Sequence, residues 1–267
     1  MSRDHLQPGY VLHRRDYGDT SLLLEVLGAA QGRLALVAKG ARRARRGGSS
    51  QAALLQPFVP LLMAWTGRGE VQTLTRAEPV GRSVVLAGDA LYCGFYVNEL
   101  LMRLLGRSEG DHVIFAAYQT VLGELAAGTD VDSPLRRFEL TLLGQLGYRP
   151  PLERDADGGG PVRPDVRYVV DPERGPVAAP TAEHPDTTAG ATLLALEAGG
   201  ALTPVAAREA RRLLRRLLAP HVGERPLQSR ALFAARRSRD PAPAPGADAP
   251  AATAQPHSNA TQGASPE

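Results

Sequence analysis

Between residues 9 and 78 apolar and polar positions alternate in short runs bounded by turn-forming residues, a period of two rather than 3.6. Residues 10–14 form the first run, and residues 21–27 follow a turn at Asp16, Tyr17, Gly18 and Asp19. Gln31 and Gly32 open residues 33–37, which alternate as a half-buried strand should. Residues 58–66 and 70–75 flank Gly67, Arg68 and Gly69, a tight hairpin signal. Five strands so close together leave no room for crossover helices. The pattern predicts a small closed barrel of five antiparallel strands, for which the OB-fold is the commonest solution; an SH3-like barrel fits the alternation almost as well.

The period changes at Gly88. Asp89 is read as the N-cap of a helix to about residue 105, with Leu91, Phe95, Leu101, Met102 and Leu105 along one side. Asp111 opens a second helix to about residue 127, and Ser133 caps a third, with Pro134 at its first position and an end near Gly147. Their apolar faces predict a bundle. Residues 148–187, rich in Pro, Gly and Asp, read as an irregular insertion in which only residues 166–170 resemble a strand. A later helix over residues 204–218 sets Ala206, Ala210, Leu213, Leu214, Leu217 and Leu218 against Arg208, Arg211, Arg212, Arg215 and Arg216, with Glu209 placed to pair with a neighbour. From Ser238 the chain lacks apolar bulk, which predicts disorder. The fold class is therefore α+β: an OB-fold nucleic-acid-binding domain over residues 1–80, a helical domain over 81–237 and a tail over 238–267.

The net charge of +3 conceals an asymmetry, because residues 1–80 hold 11 Lys and Arg against 6 Asp and Glu, whereas the remainder holds 20 against 22. Much of the excess lies in one loop, Lys39, Arg42, Arg43, Arg45 and Arg46, which contains the only lysine of the chain and is flanked by Gly40, Gly47 and Gly48. Such density suits a phosphate backbone. A lipid surface is the rival partner, but no amphipathic anchor or lipidation motif accompanies the loop. Arg14, Arg33 and Arg68 are the neighbouring barrel cations expected to assist. Tyr10, Tyr17, Phe58 and Trp65 are the barrel's few aromatics; each reads as core, so charge should outweigh stacking.

A single cysteine, Cys93, excludes an intramolecular disulfide and a multi-cysteine zinc site, and its apolar surroundings make it a core residue. No apolar run resembles a signal peptide or a membrane span, which points to the cytoplasm. The chain has no P-loop, no nucleophile elbow and no paired-histidine helix, and its six histidines are scattered. A non-enzymatic protein without metal or cofactor is the expectation.

Ordered motifs then resemble a known family, the bacterial DNA repair proteins called RecO, recombination protein O. Residues 11–21, from Val11 to Ser21, look like its opening strand and turn, and Ala38, Lys39, Gly40, Ala41 and Arg42 like its basic loop. Residues 55–61 and 67–74 resemble its later strands, residues 96–101 and 138–148 its helical motifs, and residues 226–232 its C-terminal motif. The resemblance implies an OB-fold followed by a helical domain that binds single- and double-stranded DNA and anneals complementary strands. It also implies partners: RecR, with which such proteins help load RecA recombinase onto DNA covered by single-strand-binding protein (SSB), and the C-terminal tail of SSB itself. Action would be in the cytoplasm, at the nucleoid during repair. Many members carry four zinc-binding cysteines after the Gly147-Tyr148 motif; here residues 152–160 hold none, and Asp155 and Asp157 suit a polar turn better than a calcium loop. Without the helical motifs, the barrel and loop would equally suit a generic single-stranded DNA or RNA-binding OB protein.

Overall fold

A computed structural model of the chain describes residues 5–44, 50–81, 83–128, 130–179, 181 and 184–232. Five strands, β1 (Gln7–Tyr17), β2 (Ser21–Gly28), β3 (Gly32–Ala38), β4 (Pro60–Thr66) and β5 (Val71–Pro79), close into a barrel in the order β1-β2-β3-β5-β4. This is an OB-type barrel. Its interior is aliphatic, built from Leu22, Leu24, Val26, Leu34, Leu36, Leu61 and Met63. The barrel is not purely antiparallel: β3 pairs with β5 in parallel, from Ala35 opposite Val71 to Val37 opposite Thr73. The chain after β3 crosses the barrel and returns beside β1, so the β4–β5 hairpin must close against β3 in the same direction.

The helical part comprises α1 (Gly88–Leu104), α2 (His112–Ala127) and α3 (Asp132–Gln145), followed by α4 (Gly190–Ala198) and α5 (Pro204–Val222). Asp111 caps α2, accepting from Val113 N at 2.7 Å and Ile114 N at 3.1 Å. Two other expected caps are displaced. Ala87 occupies the N-cap of α1 without a side-chain bond, and Asp89 lies inside the first turn, where its charge still complements the helix dipole. At α3 the carboxylate of Asp130 accepts from Asp132 N at 2.8 Å, and Ser133, already within the helix, donates its hydroxyl to Asp130 and accepts from Leu202 N at 3.0 Å. A carboxylate upstream can reach several free N–H groups at once, so it displaces the serine. At α5 Thr203 accepts from Ala206 N, and the helix runs past the expected residue 218 to Val222.

The insertion is more regular than its composition implies. Three strands, β6 (Arg167–Asp171), β7 (Gly175–Ala178) and β8 (Thr187–Ala189), form an antiparallel sheet in the order β7-β6-β8, and β8 leads straight into α4. Glu209 is buried rather than paired along its own helix: it accepts from Ala189 N at 3.1 Å and Thr192 Oγ1 at 2.7 Å, and meets Arg167 Nη2 at 2.9 Å. One carboxylate thereby ties α5 to the sheet and to α4.

Barrel and helices share a core. Strand alternation points Val11 into the barrel while Tyr10 and Leu12, on the other face of β1, join the core of the helices, and a register shift between Val11 and His13 leaves Leu12 outside the β1–β2 pairing. Asn98 of α1 donates to Leu12 O at 2.8 Å and accepts from the Tyr118 hydroxyl at 2.8 Å, all in buried surroundings. Phe58, before β4, adopts φ 69° and wedges beside Gly94, where an added Cβ would fall 2.9 Å from its ring. Gly32, at φ 65°, abuts Glu109 so closely that a Cβ would meet the carbonyl oxygen at 1.9 Å. Glu99, one residue from the Asn98 clamp, accepts from Gln228 N, Ser229 N and Ser229 Oγ and pairs with Arg103, fastening residues 228–229 along α1.

Two stability predictions arise. Asn98→Leu keeps the volume but orphans Leu12 O and the Tyr118 hydroxyl, at about 1–3 kcal/mol for each group; urea unfolding should show a correspondingly lower midpoint. Burial pushes the Glu99 carboxyl up, but the bonds from Ser229 and Gln228 and the charge of Arg103 outweigh it and hold the group below the ordinary carboxylate range. Glu209 is lowered likewise, its bonds to Thr192, Ala189 and Arg167 outweighing burial. A lowered folded-state value gives stability that is complete above the ordinary value and lost as pH falls through the folded one. Glu99→Gln should therefore be less stable at neutral pH and lose less on acidification, measured as the unfolding midpoint against pH.

Candidate nucleic-acid interface

The basic loop is held at its root by an apolar residue. Ala41 is fully buried in the barrel core, while Lys39, Arg42 and Arg43 on either side are exposed. Its N–H bonds to Ala38 O at 3.4 Å and its carbonyl accepts from Ala52 N at 2.8 Å. Gly40 sits at φ 66°, the left-handed turn that lets the chain leave β3 and insert Ala41. Arg42 N donates to Thr20 O at 2.9 Å and Gly40 N to Ser21 Oγ at 3.4 Å, so the loop lies against the β1–β2 turn.

The cations differ in what holds them. Arg42 pairs with Asp16 at 3.0 Å while keeping 40% of its side chain exposed, so it is oriented without being sealed. The side chains of Lys39 and Arg43 carry no hydrogen bond or ion pair among the described residues and are exposed to solvent. Arg45 and Arg46 lie outside the described residues.

Arg14 and Arg33 are instead engaged within the protein. Arg14 donates inward to Ala52 O at 2.7 Å and Leu55 O at 3.4 Å, bracing the short 3-10 turn Gln51–Ala53. Arg33 bonds Glu25 at 3.0 Å and Leu105 O at 3.1 Å, and Arg107 meets the same glutamate at 2.8 Å, so this cluster joins β2 and β3 to the end of α1. Arg68 is exposed at the tip of the β4–β5 hairpin. Because β5 runs parallel to β3 and begins opposite Ala35, that tip lies toward the Arg33 end of β3. The strand separates it from Lys39 by about 20 Å at 3.3 Å per residue.

Arg15 is a cation that the sequence reading passed over. It is exposed on β1, in register with Leu23, which is itself opposite Val37 of β3. Successive strand residues point to opposite faces, so with Arg14 turned inward Arg15 had to point out; that alternation was the available signal. Tyr17 shares its face and is 54% exposed, whereas Tyr10 and Phe58 are buried and Trp65 is half-buried against the barrel core.

On α5, Arg211 pairs with Asp132 at 2.6 Å and Arg216 with Asp186 at 3.5 Å, while Arg208, Arg212 and Arg215 are exposed without a partner among the described residues. Burial pushes the Cys93 thiol up to about 11, which disfavours the thiolate a nucleophile needs. Burial likewise raises Glu139, which the Tyr96 hydroxyl meets at 2.5 Å and Arg136 at 3.2 Å. Asp155 accepts from Asp157 N and Gly158 N as a polar turn, and Asp157 pairs with Arg174. Among the described residues no group of three or more His, Cys, Asp or Glu could hold a metal ion, and no helix is long and apolar enough to cross a membrane.

Comparison with known proteins accounts for both halves of the chain. The family described as "Recombination protein O N terminal" matches residues 1–82, and "Recombination protein O C terminal" matches residues 86–231. The DNA repair protein RecO of Methylococcus capsulatus is 47% identical over 232 residues, covering 87% of this chain and 94% of that protein. RecO of Nitrosospira multiformis is 42% identical over 86% of this chain and 95% of its own length, and RecO of Haemophilus influenzae is 42% identical over 86% and 96%. A barrel with a buttressed basic loop, joined to a helical domain and matched by both family halves, places this chain in the RecO family of DNA repair proteins.

Proposed function

We propose that this protein serves recombinational repair by binding DNA through one end of the barrel, where Lys39, Arg42, Arg43 and Arg15 would neutralise phosphates. The observation that carries the reading is the burial of Ala41, which fixes the root of a loop whose flanking cations Lys39, Arg42 and Arg43 are exposed. Contacts of this kind do not read bases. They would let two strands approach with their repulsion cancelled, which is what annealing of complementary single strands requires. Arg45 and Arg46 belong to the same basic run by sequence and extend the proposed surface. Arg14 and Arg33 are better explained as braces that hold the loop root and the domain junction.

Family membership supports a wider role as a mediator that acts with RecR to load RecA onto SSB-coated single strands. In that role the protein would bind single- and double-stranded DNA and the SSB tail without catalysing a reaction. Annealing of complementary strands coated with SSB tests this against a simple single-strand binder, which would slow annealing rather than speed it.

The electrostatic reading makes two quantitative claims. Replacing Arg42, Arg43, Arg45 and Arg46 by glutamine should lower affinity for every sequence and flatten the plot of log K against log salt, by about 0.9 per lost phosphate contact on duplex and about 0.7 on single strands. An unchanged slope rejects the loop. Asp16→Asn removes the carboxylate that competes for Arg42. It should tighten DNA binding at low salt, an effect that fades as salt rises; weaker binding would mean that Asp16 matters more for orienting Arg42 than for opposing DNA.

A further inference from the structure

Tyr17 is the one barrel aromatic that the packing does not use. Tyr10 packs tilted against Phe115 and edge-on to Tyr118 inside the shared core, Phe58 lies against Phe95, and Trp65 packs on the barrel core. The Tyr17 side chain makes no ring contact or hydrogen bond among the described residues, and the residue leaves 54% of its surface in water. A half-exposed ring contributes little to the fold, so its surface remains available to a ligand.

Its neighbours define the setting. Tyr17 is opposite Ser21 at the close of β1, and Ser21 receives the N–H of Gly40 in the basic loop. The residue before it, Asp16, holds Arg42, and Arg15 projects from the same face of β1 two positions back. The turn beyond is open: Gly18, at φ 60°, has nothing within 4 Å of where a Cβ would stand. A flat apolar surface with a free approach therefore shares its face of the sheet with Arg15 and stands across Ser21 from the Lys39 end of β3, while Arg42, on Asp16, lies at the adjoining barrel end.

We propose that Tyr17 stacks on an unpaired base of a strand whose phosphates are held by these cations, giving this end of the barrel a preference for single-stranded over duplex DNA. The inference rests on the reading of the loop as the DNA site and adds the strand class to it. Phosphate contacts alone are available on either form. A ring, by contrast, can stack only on a base whose face is uncovered, and in a duplex those faces are occupied by neighbouring pairs. Position also matters: Tyr17 lies at the mouth of the β1–β2 turn, and in OB barrels the loop between the first two strands commonly borders the oligonucleotide.

The test uses the full chain and a fluorescent oligothymidylate, with a duplex of equal length as control, read by anisotropy. Tyr17→Ala should weaken single-strand binding roughly 5- to 150-fold, the range expected for loss of one stacked base, and leave duplex affinity and both salt slopes unchanged. Tyr17→Phe should bind as the parent does, because the ring and not the hydroxyl is required. Equal weakening on both DNA forms, no weakening on the single strand, or a Phe variant as weak as the Ala variant would each overturn the proposal. Failure of the loop reading is seen separately, as a salt slope that survives neutralisation of the loop arginines, whatever Tyr17→Ala does to strand preference.

Discussion

The architecture depends on β1 serving two cores at once. A strand has two faces, and a small barrel needs one of them for its interior; the other face of β1, through Tyr10 and Leu12, is part of the helical core. The bulge between Val11 and His13 leaves Leu12 outside the β1–β2 pairing. Asn98 supplies a partner by donating to Leu12 O, and Tyr118 satisfies the remaining amide oxygen. Phe58 and the Arg33–Glu25–Arg107 cluster fix the same junction at other points. The barrel is thus rigidly mounted, and its free end, with Lys39 and the β1–β2 turn, points away from the helices.

Residues in the family's helical motifs are largely braces of this kind. Asn98 and Glu99 stand side by side on α1, one clamping the barrel and the other fastening residues 228–229. Glu139 meets Tyr96 and Arg136 in a buried cluster, and Arg230 lies over the Tyr96 ring at 5.6 Å. Buried polar groups are costly unless partnered, so each specifies its neighbours closely. The side chains of Lys39 and Arg43 in the basic loop meet no such internal demand among the described residues, which supports the proposed DNA contact.

Much of this was legible from the pattern of residues. Alternation located all five barrel strands, and the change of period at Gly88 located the helices, because burial on one side imposes a period of its own on each element. Direction is not encoded in a period, so the parallel pairing of β3 with β5 could not be read. Partners distant in sequence were equally hidden: Arg33 reaches Leu105 O, and Glu209 reaches Arg167 and Thr192. The helix α4 was missed because it is short and its apolar positions, among them Leu193 and Leu196, follow a loop-like stretch. At the proposed site, density of charge singled out Lys39 and Arg42. Arg14 could not be separated from Arg15 by charge, although strand alternation would have separated them.

The central claim is that the free end of the barrel, rather than the arginine side of α5, meets DNA. Amide hydrogen exchange of the full chain, with and without saturating single-stranded oligonucleotide, tests it most directly. The account predicts slowed exchange at residues 15–23 and 38–44 with little change along α5. Protection confined to residues 204–222, with none at the barrel end, would contradict it.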